Sequence, residues 1–147
     1  MKQLKKRLLS TILALAMALT LIAAIPLTAG AASVSTLKDA IEGFVHGGEG
    51  YLEAETSYNR VTVTGIVTGV TNHLRLFIDP GVTVVWKARY SGSISDHNYM
   101  SMISLLDSGT FEVASGGAIR NDGTDSTILS SGTTAIKVSG GAVIGTS

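Results

Sequence analysis

From Arg60 onward the chain is a succession of short runs in which apolar and polar residues alternate. Val61 and Val63 alternate with Thr62 and Thr64. Leu74, Leu76 and Ile78 alternate with Arg75, Phe77 and Asp79. Val82, Val84 and Trp86 alternate with Thr83, Val85 and Lys87, and Phe111 and Val113 alternate with Thr110 and Glu112. Ile136 and Val138 flank Lys137. Successive side chains of a strand point to opposite faces, so a period of two marks a β-strand with one buried face. Turn-forming groups stand between the runs: Asp79-Pro80-Gly81, Gly116-Gly117, Asn121-Asp122-Gly123, Ser131-Gly132 and Gly140-Gly141. The polar stretch from Tyr90 to Met102 breaks the pattern and reads as a loop or insertion with a short helical turn.

The runs also return. Gly116-Gly117-Ala118 is echoed by Gly140-Gly141-Ala142, and Gly109-Thr110 by Gly132-Thr133. Strands are expected near 110–113, 118–120 and 127–129, with the next set starting near 135. Looking backward, Val84 stands a comparable stretch before Phe111, and Val63 before Val84. Several short strands within a period in the twenties is the signature of stacked solenoid coils, each burying its inward residues against the next. The expected fold is therefore all-β, a parallel β-helix solenoid. Regularly spaced short strands also serve an antiparallel β-sandwich, which is the alternative.

The segment 1–32 reads as a separate unit. Lys2, Lys5, Lys6 and Arg7 precede the run Ile12 to Ala24, apolar apart from Thr20, which Pro26 ends. The small residues Ala29-Gly30-Ala31-Ala32-Ser33 then offer a peptidase site. This is the layout of a secretory signal peptide, with an uncleaved membrane anchor as the other reading. Either way the remainder is exported, to the cell surface or the medium, and touches a membrane only through the leader. Cleavage after Ala32 removes four of the eleven basic residues and none of the eleven acidic ones, leaving a net charge of −4. A nucleic-acid partner is disfavoured, because it needs a basic footprint. The lack of cysteine excludes disulfide staples, thiol catalysis and thiolate zinc sites.

Residues 33–50 are expected to form an N-terminal capping helix and loop. Leu37, Ile41, Phe44 and Val45 share one helical face, Thr36 suits the N-cap, Asp39 the first turn, and Gly47-Gly48 with Gly50 a stop. Residues 51–147 are assigned to the coils. The chain stops at Gly145-Thr146-Ser147, directly after a strand and without a cap. A β-helix with an open last coil implies further coils of a longer product or a partner chain at that end.

The segment from Arg60 to Ser147 resembles repetitive exported proteins of Gram-positive bacteria that carry right-handed parallel β-helix domains, a fold shared with pectate lyases. The residues that carry the likeness are Asp79 to Ala88, Gly109 to Ile119 and Val138-Ser139-Gly140-Gly141. The resemblance implies surface display, adhesion or contact with cell-wall or host glycans, and it does not imply catalysis. In such proteins a short amphipathic helix often caps the N-terminal end, as Leu37 to Val45 would.

Few side chains suggest chemistry. Trp86, Tyr90 and Tyr99 bracket a polar loop with Arg89, Asp96, His97 and Asn98. Aromatic rings beside amide and carboxylate groups suit sugar binding, so Trp86, Tyr90, Asp96, His97 and Tyr99 are the carbohydrate candidates. Trp86 also continues the Val82, Val84 face, which would make it a core residue. Asp122 and Asp125, beside Asn121, could offer oxygens to calcium, although Asn-Asp-Gly is equally a plain turn. No other cofactor is suggested. His46, His73 and His97 are far apart, with His46 able to pair with Glu42 at the helix end. No Gly-x-Ser-x-Gly elbow and no Gly-Lys-Ser/Thr phosphate loop is present. The expected function is a structural or adhesive surface module without enzymatic activity. The alternatives are a carbohydrate-binding module, and the N-terminal part of a polysaccharide lyase or hydrolase whose active site lies beyond residue 147.

Overall fold

The computed structural model describes residues 29–95 and 101–146, with side chains from Ser33 onward, so leader residues 1–28 lie outside the described residues. Helix α1 (Ala29–Glu42) is followed by β1 (Glu49–Ser57), β2 (Arg60–Val70), β3 (Leu74–Ile78), β4 (Thr83–Trp86), β5 (Arg89–Gly92) and β6 (Ser101–Asp107). Then come β7 (Thr110–Ala114), β8 (Ala118–Asn121), β9 (Ser126–Ser130), β10 (Ala135–Ser139) and β11 (Ala142–Gly145).

From β2 onward the ladders are parallel and join strands one coil apart. The first half of β2 pairs with β4, β4 with β7, and β7 with β10. The second half of β2 pairs with β5, β5 with β8, and β8 with β11. On the remaining side β3 pairs with β6 and β6 with β9. The result is a β-solenoid of about three turns. The sandwich alternative is thereby set aside, since it requires antiparallel ladders throughout. Inward residues form columns that run from coil to coil. Val61, Val84 and Phe111 make one, Val63, Trp86 and Val113 a second, and Val67, Tyr90 and Ile119 a third. All nine are buried. Each covers the apolar surface of its neighbour, which an isolated coil could not do.

The echoes seen in the sequence are only partly in register. Ala142 lies over Ala118 and Phe111 over Val84, as the spacing implies. Val84, however, stacks on Val61 rather than Val63, and Ala135 rather than Thr133 stacks on Thr110. Turns between coils differ in length, so a motif placed in a turn drifts against the ladder.

Three strands are not legible in the alternation. β5 lies almost wholly inside the stretch expected to be loop, and β6 begins inside it at Ser101. β1 does not form a coil. It runs antiparallel to β2 through a tight turn at Tyr58 and Asn59, where Tyr58 takes φ of 51°. The coils therefore begin at Arg60, and β1 lies along the first one as an edge strand.

The helix begins no later than Ala29, so Thr36 sits inside it and is no cap, and Asp39 lies near its C-terminal end. Val34, Leu37 and Ile41 are buried and Phe44 is half-buried. Val45 is 76% exposed. The helix stops at Glu42, and the chain turns at Gly43, whose N–H meets the Asp39 carbonyl at 2.9 Å. That turn carries Val45 off the apolar face.

The same helix closes the edge of β1. Lys38 and Glu42, one turn apart, form an ion pair of 2.7 Å. Glu42 accepts the Ala54 N–H at 2.9 Å, and Lys38 donates to the Ala54 carbonyl at 2.5 Å. An open strand edge invites pairing with other chains, and this pair occupies it at Ala54. The Lys38 and Ala54 hydrogen bonds hold the Glu42 carboxyl below its ordinary value. A lowered folded-state pKa contributes stability above the unfolded value of about 4.3, and that contribution is lost as pH falls through the folded value. The Ala54 amide resonance, followed by NMR, is expected to titrate with a midpoint below that of an ordinary glutamate. Glu42→Gln is expected to abolish the transition, and a midpoint at or above the ordinary value would refute the edge-closing role.

Candidate functional site

The aromatic candidates of the polar loop do not gather on the surface. Trp86 is 0% exposed and Tyr90 1%. Their rings meet edge to face at 5.6 Å, and Trp86 also lies 5.7 Å from Phe111. Both face inward because they occupy the inward register of β4 and β5, above Val63 and Val67. The sugar-platform reading of these two rings is therefore corrected: they are core, and a buried ring has no face to offer a sugar. Burial also raises the Tyr90 hydroxyl pKa. Asp96, His97 and Tyr99 lie outside the described residues.

The Asn-Asp-Gly segment is more than a turn. Asn121 is buried. Its Oδ1 accepts the N–H groups of Ile94 (2.8 Å) and Gly123 (3.1 Å), and its Nδ2 donates to the Asp125 carbonyl at 2.6 Å. The side chain clips one coil to the next, joining Asn121 to Ile94 of the coil before it. Asp122 instead points outward and pairs with Arg120 at 2.7 Å. One Asp125 oxygen is buried without a hydrogen-bond partner among the described residues. Asp122 and Asp125 thus serve different surroundings, and among the described residues no three His, Asp or Glu groups converge. His46 does not take Glu42 either. Its Nδ1 accepts the Gly48 N–H at 3.1 Å and its Nε2 lies 3.2 Å from the Gly50 carbonyl.

The exposed features lie elsewhere. On the outer face of the sheet, register places Tyr51, Ile66, Arg89 and Ala118 in one rank across β1, β2, β5 and β8. Glu49, Thr68 and Arg120 lie on the same side of those strands, one inward-outward repeat along. Tyr51 is 62% exposed and Ile66 56%, so an aromatic and an aliphatic group stand side by side in solvent next to a guanidinium. Period two gives no warning of this rank, because its members come from strands far apart in sequence.

A second feature is a cleft of about 390 Å³ between α1 and β3, walled by Leu37, Ala40 and Phe77 and edged by Ser33, Arg75 and Asp79. The Arg75 guanidinium sits 5.6 Å from the centre of the Phe77 ring. The third is the last coil, where Ile136 is 46% and Val138 54% exposed although both continue the inward columns. No protein-family model matches the chain, and neither a curated protein nor a solved structure matches it.

Proposed function

We propose that the chain is a secreted or cell-surface β-helix module that provides a structural or adhesive surface and catalyses no reaction. The observation that carries this reading is the regular stack of parallel ladders, coil over coil, with side-by-side outer ranks such as Tyr51, Ile66 and Arg89. A stiff stack with an ordered outer face suits a module that presents a surface. The export leader and the likeness to repetitive Gram-positive surface proteins point the same way.

A second reading, carbohydrate contact, draws on the exposed Tyr51, with Asp96, His97 and Tyr99 as the further candidates. An aromatic ring stacks on the apolar face of a sugar while neighbouring polar groups take its hydroxyls. One experiment addresses both. The chain is incubated with Gram-positive cell walls and with soluble uronate polymers. Retention on the walls with no shortening of the polymers is expected, and shortened polymers would overturn the non-catalytic reading. Under the second reading Tyr51→Ala weakens wall retention about tenfold, the worth of one ring contact. Undiminished retention would remove Tyr51 from it.

A further inference from the structure

The cleft between α1 and β3 carries a distinct pattern of charge. β3 buries Leu74, Leu76 and Ile78 and turns Arg75 and Phe77 outward, and Asp79 continues the outward row just past its end. Outward side chains of a strand recur about every 6.8 Å, so a cation, an aromatic ring and an anion stand in line along one wall. Asp79 opens the turn to Gly81 through its carbonyl, which accepts the Val82 N–H at 3.0 Å, and its carboxylate takes no part in that bond. Among the described residues neither Arg75 nor Asp79 belongs to an ion pair. Phe77 is 55% exposed, although a phenyl ring gains from burial. Across from it α1 presents Leu37 and the small Ala40, with Ser33 at the edge.

This lining selects a ligand by charge. Arg75 and Asp79 are its two charged members, and they cancel. An anion gains at Arg75 and loses at Asp79, and a cation does the reverse. A neutral ligand rich in hydroxyls loses at neither, because a hydroxyl donates to the carboxylate and accepts from the guanidinium. The apolar walls require a C–H face as well, to lie against Phe77, Leu37 and Ala40. A neutral sugar combines the two. The volume of 390 Å³ falls at the lower end of the range of about 300–1,000 Å³ for small-molecule sites, which suits a short oligosaccharide. We propose that the cleft binds a neutral oligosaccharide. Phe77 packs on the apolar face of a sugar ring, Asp79 accepts from its hydroxyls, and Arg75, held beside the Phe77 ring, donates to them. The site is separate from Tyr51, which lies on the other sheet, and it rests on the cleft alone.

The test uses the full chain expressed with its leader, so that the host's own processing applies. It is titrated at neutral pH with cellobiose, with the glucosamine counterpart of that disaccharide and with the glucuronate counterpart, while backbone amides are followed by NMR. Cellobiose is the probe because its equatorial hydroxyls leave both ring faces to C–H groups. It is expected to shift the amides of Leu37, Ala40 and Phe77, and to bind about tenfold tighter than either charged disaccharide. No shift of those amides with any of the three, or equal affinity for all three, would overturn the proposal. Phe77→Ala is expected to weaken cellobiose binding about tenfold, and Tyr51→Ala to leave it unchanged. The reverse outcome would place the sugar contact at Tyr51 and remove it from the cleft. Two further variants keep the ring and alter only the charge, at outward side chains where folding is little affected. Asp79→Asn leaves the lining positive, so it is expected to bind the glucuronate disaccharide more tightly than cellobiose. Arg75→Gln leaves it negative and is expected to favour the glucosamine disaccharide. A preference for cellobiose that survives both substitutions would show that these charges do not select the ligand, and the proposal would fall.

Discussion

Replacing Trp86 by alanine is expected to remove about 4 kcal/mol of folding stability, the upper range for truncating a buried aromatic. Its ring is fully buried and touches Tyr90 and Phe111. Val63 lies below it and Val113 above in the same column. Truncation opens a void in the middle coil, where ladders above and below prevent the walls from closing in. Domains of this size have about 5–15 kcal/mol in total, so the loss should be plain in a urea titration. The neighbouring Tyr90 supplies the contrast. Its hydroxyl is buried with no hydrogen-bond partner among the described residues. Tyr90→Phe keeps the ring and removes an unsatisfied polar group, so the denaturation midpoint should stay level or rise. A Trp86→Ala loss below about 1 kcal/mol, the range of surface substitutions, would mean that the ring is not core.

Gly117→Ala is expected to cost about 3 kcal/mol, in the range for forcing atoms into packed space. A Cβ at Gly117 would stand 2.3 Å from the Trp86 carbonyl oxygen and 3.1 Å from that of Ala114. Both are backbone atoms, so the third coil would have to lift away from the second, straining the bond from Ala118 N–H to the Ala88 carbonyl. Gly116, just before it, has φ of 90° and nothing within 4 Å of its would-be Cβ. Gly116→Ala incurs only the backbone strain, about 1–2 kcal/mol. The pair separates the two jobs that the repeated Gly-Gly-Ala motif performs, a left-handed corner and then a close approach between coils. Equal losses in thermal or urea unfolding would show that coil spacing does not depend on Gly117.

The strands that the sequence disclosed are those with one face buried and clear turns on either side. The runs near 110–113, 118–120 and 127–129 are β7, β8 and β9 almost residue for residue. β6 escapes because Ser101, Met102, Ile103, Ser104 and Leu105 are all buried, which erases the alternation. β1 escapes because only Leu52 and Ala54 are buried in it. The candidate site is less legible. Polar neighbours set Trp86 and Tyr90 beside a loop in the sequence, while the partners that hold them inside, Val63 and Val67, lie a whole coil upstream. The glutamate and lysine of α1 give no hint that they bond Ala54.

By itself the sequence determined that the chain past Arg60 is a set of short strands, one face inward, recurring with a period in the twenties. Alternation is a local property of a strand, and glycine and proline corners are local too, so both are written in consecutive residues. Only the tertiary structure decided which strand lies over which, that β1 turns back along the first coil, and that Trp86 and Asn121 lie inside. Those outcomes depend on ladders between residues a full coil apart. A slip by one inward-outward repeat leaves the inward face inward, and only the packing of one coil on the next selects the register.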